Sequence, residues 1–336
     1  MTLFSTAFSF DDVLLKPRLS SVVSRSDIDL TLHIGTESPM RLPVFASPMD
    51  TIMSPEMAKV VYESGGRGIM HRYCSVEEQA KLVSDCSMYE VFAAVGVTGD
   101  YYERAKAVLA AGAAGLCVDV AHGHHENCLH AVRVLRKRFP DVHIMAGNVA
   151  TLEGFNALAV AGASSVRVGV GGGSICSTRI QTGHGIPTFQ SVLECARSEH
   201  DCILIADGGI KNSGDIVKAL AAGADAVMVG RILAGTRETP GQIITNPGHA
   251  PVKVYRGMAS PEAQVDWKGS YSSNEGVSRT VRLKGSASST LFEIDKGVRS
   301  GLSYSGAFNV RELQARAEFV KQTSAGAKES STHIDS

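Results

Sequence analysis

The stretch Gly169-Val170-Gly171-Gly172-Gly173-Ser174-Ile175-Cys176-Ser177-Thr178-Arg179 sets a thiol on a glycine-rich loop beside two hydroxyls and a guanidinium. Glycines let backbone groups approach an ion closely, and an accessible thiol near positive charge favours the nucleophilic thiolate. The bland alternative is a flexible loop with an incidental cysteine. Asp207-Gly208-Gly209 and Gly230-Arg231 each follow a short apolar run. Glycine amides at such positions suit a phosphate, and an acid at a strand tip can accept hydrogen bonds from ribose hydroxyls. Read as plain turns, the same residues carry no chemistry. Asp119, followed by Ala121-His122-Gly123-His124, is a second acidic candidate. His122, His124 and His125 invite a metal reading, but no carboxylate or cysteine stands at ligand spacing from them. Ser47-Pro48-Met49-Asp50 and Asn148 end two further apolar runs. Taken together, these groups point to a nucleotide substrate.

Such groups need a scaffold that brings distant positions to one place. Eight short apolar runs recur: 44–46, 68–70, 91–95, 116–120, 143–146, 166–170, 203–206 and 226–229. Helix-like segments lie between them, at 101–111, 127–139, 152–161, 191–197 and 214–222. Ala-Gly-Ala recurs at 111–113, 161–163 and 222–224, each time just before an apolar run. Glycine there can close a helix, and strands apolar throughout are covered on both faces. The alternation predicts an α/β fold, a (β/α)8 TIM barrel with its site at the C-terminal ends of the strands. An open doubly wound sheet is the runner-up, and no GxGxxG follows the first strand to support its dinucleotide-binding version. Residues 1–42 are expected to cover the bottom of the barrel. Thr236 to Gly301 is polar, rich in glycine and serine, and reads as a flap inserted after the eighth strand. Residues 1–322 then form one domain, and 323–336 read as a disordered tail.

At 336 residues with 44% hydrophobic and 20% charged, the chain can bury a large core. A net charge of −1 gives no electrostatic footprint for nucleic acid or an anionic membrane, so neither is an expected partner. Seven scattered cysteines (74, 86, 117, 128, 176, 195 and 202) without CxxC pairs indicate neither disulfides nor zinc. The first residues lack the pattern of a secretory signal, so a reducing, cytoplasmic setting is expected.

These residues resemble the IMP dehydrogenase / GMP reductase family. The similarity runs from Phe10-Asp11-Asp12-Val13-Leu14-Leu15 through Ser47-Pro48-Met49-Asp50-Thr51, His71-Arg72, Ser75-Val76-Glu77-Glu78, Gly147-Asn148-Val149, the Cys176 loop, Asp207-Gly208-Gly209 and Tyr255-Arg256-Gly257-Met258, in the family's order. The resemblance implies a barrel, usually a homotetramer, binding a purine nucleoside monophosphate (GMP or IMP) with a nicotinamide cofactor stacked on its base. By position it implies that Cys176 attacks purine C2 to give a thioimidate, and that Thr178 and Glu275 are catalytic. It places Ser47, Met49, Ser174, Asp207, Gly209, Gly230, Arg231, Tyr255, Gly257 and Met258 around the nucleotide. Arg72, Asp119, Ala121 and Asn148 fall at the cofactor, and the carbonyls of Gly171, Gly173 and Cys176 fall where the family can hold K+.

Two reactions share that framework. A dehydrogenase passes hydride to NAD and hydrolyses the thioimidate with water activated by an Arg-Tyr pair on a long flap. A reductase expels ammonia and accepts hydride from NADPH. Here Glu275 lies only 17 positions beyond Met258, and no Arg-Tyr pair stands between. No inserted module follows Glu78 either, so the chain resembles the reductase branch, with purine salvage as its setting. Against this, the 119–124, 213–216 and 255–258 segments look more like the dehydrogenase branch, and Arg256, Arg279 or Arg282 are candidates to replace the flap arginine. Gly172 stands in place of a usual proline, Ser177 of a common threonine, Arg72 of a reductase lysine and Arg231 of a small residue. The alternatives are an IMP dehydrogenase making XMP with NAD, and a catalytically silent nucleotide-binding protein.

Overall fold

The structure, a computed structural model, describes residues 4–272 and 274–330. In chain order the elements are β1 (Val13–Leu15), β2 (Val44–Ala46), α1 (Pro55–Glu63), β3 (Arg67–Met70), α2 (Val76–Ser84), β4 (Phe92–Val95), α3 (Tyr101–Ala110), β5 (Gly115–Asp119), α4 (Glu126–Arg138) and β6 (His143–Val149). There follow α5 (Leu152–Ala161), β7 (Ser165–Val168), α6 (Thr178–Thr182), α7 (Thr188–Cys195), β8 (Ile203–Asp207), α8 (Ser213–Ala221) and β9 (Ala226–Val229). The chain ends with β10 (Val252–Arg256), α9 (Pro261–Lys268), β11 (Ser278–Arg282), α10 (Ala287–Tyr304), α11 (Val310–Arg316), β12 (Phe319–Lys321) and α12 (Ser324–Glu329). Strands β2 to β9 pair in parallel and close on themselves, β9 returning to β2, so the expected (β/α)8 barrel is present.

Two apolar layers hold it. Inside the barrel, Phe45, Ile69, Phe92, Cys117, Met145, Ile205 and Met228 fill the lumen, one residue after another around the ring. Between strands and helices lies a larger core that includes Val118, Val166, Val168, Leu158 and Leu220. The three Ala-Gly-Ala joints behave as expected, with Gly112, Gly162 and Gly223 at φ 95°, 107° and 113° after α3, α5 and α8.

The N-terminal segment does more than cover the bottom. Ile34 and Met40 do join the lumen cluster, but Phe10 is at the opposite end, edge-on to Phe189 at 5.8 Å and beside Gly209. Between these ends β1 pairs antiparallel with β12, which ties the first residues to the last. The flap is also shorter than expected: α10 begins at Ala287, because Ala287, Leu291, Ile294, Val298 and Leu302 bury one face at helical spacing despite the serines around them. What remains of the insertion is the β10–β11 hairpin, which encloses α9. The expected disordered tail likewise contains α12, whose N-cap Thr323 accepts from the Gly326 amide; residues 331–336 lie outside the described residues. No helix among the described residues is long and apolar enough to cross a membrane.

His143 closes the lower end of the lumen. Its Nδ1 meets the Ile34 carbonyl at 2.7 Å and its Nε2 meets Ser165 Oγ at 2.8 Å. A carbonyl can only accept, so Nδ1 carries the proton and Nε2 accepts from the serine. Burial pushes the imidazole from 6.5 to about 4. The unfolded chain therefore binds a proton that the folded one refuses between those values, and stability falls as pH drops through that window. The expected loss is about 3 kcal/mol by pH 4. It is read as a falling urea midpoint that H143Q flattens; identical pH profiles for the two proteins would refute it.

Candidate active site

The charged centre of the barrel mouth is Arg167, in the middle of β7. Its Nη1 donates to Asp119 Oδ1 at 2.6 Å, and its Nε and Nη2 donate to Asp207 Oδ2 at 3.2 and 3.0 Å. Burial works against the guanidinium, but Cys117, Asp119 and Asp207 together hold it well above its ordinary value. Asn148 adds Nδ2 to Asp207 Oδ2 at 2.8 Å and to the Gly169 carbonyl at 2.9 Å. A register shift between Gly147 and Val149 lets β6 present it there. Four consecutive strands thus give one polar ring, and it leaves Asp119 Oδ2 and Asp207 Oδ1 without a protein donor among the described residues. The two acids expected at strand tips are where they were expected. Arg167 was missed, although a charged residue in the run Val166-Arg167-Val168 was the visible signal, and that run is not apolar throughout.

The loop after β7 carries the thiol. Gly173 O accepts from Cys176 N at 3.1 Å, turning the loop back on itself. Gly169, at φ 147°, lies directly against Asp207 O, where a Cβ has no room. Cys176 Sγ donates to Thr178 Oγ1 at 3.2 Å, and Thr178 Oγ1 donates to Glu275 Oε2 at 2.9 Å. These three expected catalytic residues therefore form one chain of hydrogen bonds, thiol to hydroxyl to carboxylate. Arg179 instead lays its stem against Gly171 and Gly185. Burial pushes Cys74 and Cys128 to about 11 and Cys86, Cys117, Cys195 and Cys202 to about 12, consistent with inert packing roles.

Around Gly230 the strand ends converge. A Cβ at this position would stand 3.1 Å from Tyr255 Oη, 3.3 Å from Met49 Sδ and 3.4 Å from Ser47 Oγ. Burial raises the Tyr255 phenol, against a hydrogen bond with Ser174. Gly209 sits beside Phe10 and Gly172, Met258 Sδ accepts from Asp50 N at 3.4 Å, and Arg231 is exposed at the rim. At the far end Arg72 donates to Asp119 O at 3.2 Å and lies 4.9 Å over the Tyr73 ring. All of these except Asp50, with Ala121, Gly171, Gly173 and Gly257, line a single cleft of about 660 Å³. That volume is in the range of small-molecule sites. The histidines stay outside it: His125 caps α4, and no group of three metal-ligating side chains is assembled among the described residues.

Residues 7–333 match the family described as IMP dehydrogenase / GMP reductase domain. The chain belongs to this family. It is accordingly an oxidoreductase. It is 33% identical to an inosine-5'-monophosphate dehydrogenase of Nitrosopumilus maritimus, covering 98% of each chain, and 37% identical to GMP reductase 2 of Bos taurus, covering 94% of each. Among solved structures it is similar to a variant GMP reductase from Trypanosoma brucei in complex with guanosine 5'-monophosphate, at a TM-score of 0.93 and 29% identity over 99% of each chain.

In this member of the family the flap is clamped from both sides. Arg256 donates to both oxygens of Asp50, at 2.6 Å from Nη2 to Oδ2, and also pairs with Asp266 on α9. These bonds hold its guanidinium above its ordinary value despite burial. Arg279 and Arg282 lie on β11, exposed and outside the cleft. None of the three arginines considered as a replacement water activator is thus presented to Cys176. Helix α9 brings Trp267 edge-on to Tyr73, at 5.6 Å between centroids, in the cleft wall. Trp267 is the one tryptophan of the chain, so filling the cleft changes its environment alone. Titration with GMP or a nicotinamide nucleotide is expected to change tryptophan emission saturably, whereas a linear response indistinguishable from free tryptophan would count against this placement.

Proposed function

We propose that the chain is a GMP reductase: GMP, NADPH and a proton give IMP, NADP and ammonia. The observation that carries this reading is what the flap delivers beside the thiol: the Glu275 carboxylate, which completes a relay through Thr178, and, among the described residues, no guanidinium. Deamination needs a proton carrier for the departing amine, whereas hydrolysis of a thioimidate needs an activated water.

Purine C2 carries the amino group, and Cys176 is the nucleophile that adds there. As its sulfur bonds to C2, the thiol proton passes to Thr178 and Glu275 along the existing hydrogen bonds. The same relay returns a proton to the amine, which leaves as ammonia from C2 while Cys176 holds the ring as a thioimidate. Ammonia leaves far more readily than an amide anion, so this proton governs the step. The nicotinamide cofactor, when bound, supplies the hydride that releases Cys176. Asp207 Oδ1 is free to accept from the ribose diol, and Ser47, Ser174, Gly209, Gly230, Arg231 and Tyr255 surround the phosphate end, with Met49, Gly257 and Met258 beside them. At the cofactor end Asp119 Oδ2 is likewise open, next to Arg72 and Ala121. Asn148 Oδ1 and Arg72 Nε are buried without partners among the described residues, an acceptor and a donor that suit a carboxamide. Among the same residues the carbonyls of Gly171 and Cys176 accept no backbone hydrogen bond and Gly173 O accepts one, so acceptor capacity remains for a monovalent cation such as K+.

The second reading, oxidation of IMP to XMP with NAD, is favoured by the Nitrosopumilus maritimus relative, similar over nearly the whole of both chains. Nicotinamide absorbance decides between them in two assays with potassium present, GMP with NADPH and IMP with NAD. Loss of absorbance with equal ammonia release is the expected result. A rise in the IMP assay alone would replace the proposal with the dehydrogenase. C176A is expected to abolish turnover in either case. E275Q is expected to lower kcat about 10²- to 10⁴-fold while guanine nucleotide binding persists.

A further inference from the structure

The relay depends on a carboxylate that is 97 positions from its hydroxyl partner and sits where the flap becomes exposed. Residues 269–272 and Asn274 are exposed, whereas Gly276 is buried. Glu275 therefore stands at the point where the returning chain leaves solvent and joins the Cys loop. The junction is a single antiparallel bridge between Cys176 and Gly276. Val277 N donates to Ile175 O at 3.0 Å on one side of it, and Ser177 N donates to Glu275 O at 2.9 Å on the other. Gly276 fits because its Cα side meets Ser260 N, 2.8 Å from where a Cβ would stand. Beyond the bridge, among the described residues, one further bond between the two segments continues toward the flap tip: Ser177 Oγ donates to Asn274 O at 2.8 Å. Ser177 is 5% exposed, so this bond is largely shielded from water.

From this placement we infer that Ser177 is a positioning residue for the relay. Its two donors take consecutive carbonyls, 274 and 275, and so stop fraying of the flap before it reaches Glu275. Its hydroxyl touches neither the thiol nor the cleft. Removing it leaves the backbone bridge as the last attachment, with Glu275 as the fraying residue. The Glu275–Thr178 contact is then made only part of the time, while the Gly171 to Ser174 loop and the strand tips that hold the nucleotide stay as they are.

The inference rests on the proposed relay, and the test separates the two. S177A is expected to lower kcat about five-fold, the scale of one hydrogen bond, with the nucleotide KM unchanged. S177T, which keeps the hydroxyl, is expected to restore kcat. The substrate pair is whichever the wild-type chain turns over, so failure of the reductase reading appears in the wild type before any variant is compared. A second readout needs no substrate: amide hydrogen exchange followed by mass spectrometry on the peptides that span Cys176 to Thr178 and Glu275 to Val277. Loss of the Ser177 bond is expected to speed exchange there in S177A, and S177T is expected to leave it at the wild-type rate. Wild-type kcat in S177A, a parallel loss of kcat and nucleotide affinity, or S177A exchange rates that overlay the wild type would each overturn the inference.

Discussion

Arg167 carries a full charge in the mouth of a closed barrel, and the site takes its form from how that charge is compensated. A guanidinium withdrawn from water costs several kcal/mol unless carboxylates and further hydrogen bonds meet it with good geometry. Asp119 and Asp207 do so from β5 and β8, and Asn148 holds Asp207 from β6. Each acid spends one oxygen on this arrangement and keeps the other. The arginine therefore fixes which oxygen of each carboxylate can meet a ligand. Strand order imposes the result, because β5 to β8 are neighbours in the ring and all four polar residues are at or near the same end.

Around that ring the cleft is built from segments that approach one another with no side chains between them. Gly169 lies against the carbonyl of Asp207, Gly172 against Gly208, and Gly257 against both Ile175 and Gly276. Backbone at such distances has few conformations open to it, which is how a glycine-rich loop can hold a thiol in one place. Flexibility of the isolated residue type and rigidity of the assembled loop are compatible, since the constraint is supplied by the neighbouring chain. The flap obeys the same logic. Arg256, Asp50 and Asp266 anchor its base, and the Cys176–Gly276 bridge anchors its return.

Both carboxylates that Arg167 holds line the cleft, and each keeps one oxygen free among the described residues. On the proposed reading, what the flap contributes beside the Cys176 thiol distinguishes one reaction from the other. In this chain the contribution is a carboxylate. Arg256, which the sequence offers as a substitute activator, is committed to two aspartates, a commitment that no reading of its spacing discloses.

Much of the fold was legible in the residues themselves. Apolar runs of three to five, separated by helical periods and closed by Ala-Gly-Ala, follow from local backbone preference and from strands covered on both faces. Asp119, Asp207, Gly230 and the Cys176 loop are recognisable because each stands at the end of such a run, and a barrel gathers strand ends. Local pattern misjudged the places where burial overrides composition. Serine-rich 287–304 became a helix because one face of it packs, and Phe10 rose to the cleft because β1 is held by β12, at the other end of the chain. Arg167 passed as part of an apolar strand until its two partners were in place. The contact between Thr178 and Glu275, and the serine that secures it, exist only because the flap returns to the Cys loop. Sequence carries residue type and period, which are properties of neighbours along the chain. Ion pairing, register and the path of a returning loop are properties of neighbours in space, and the tertiary structure alone decides them.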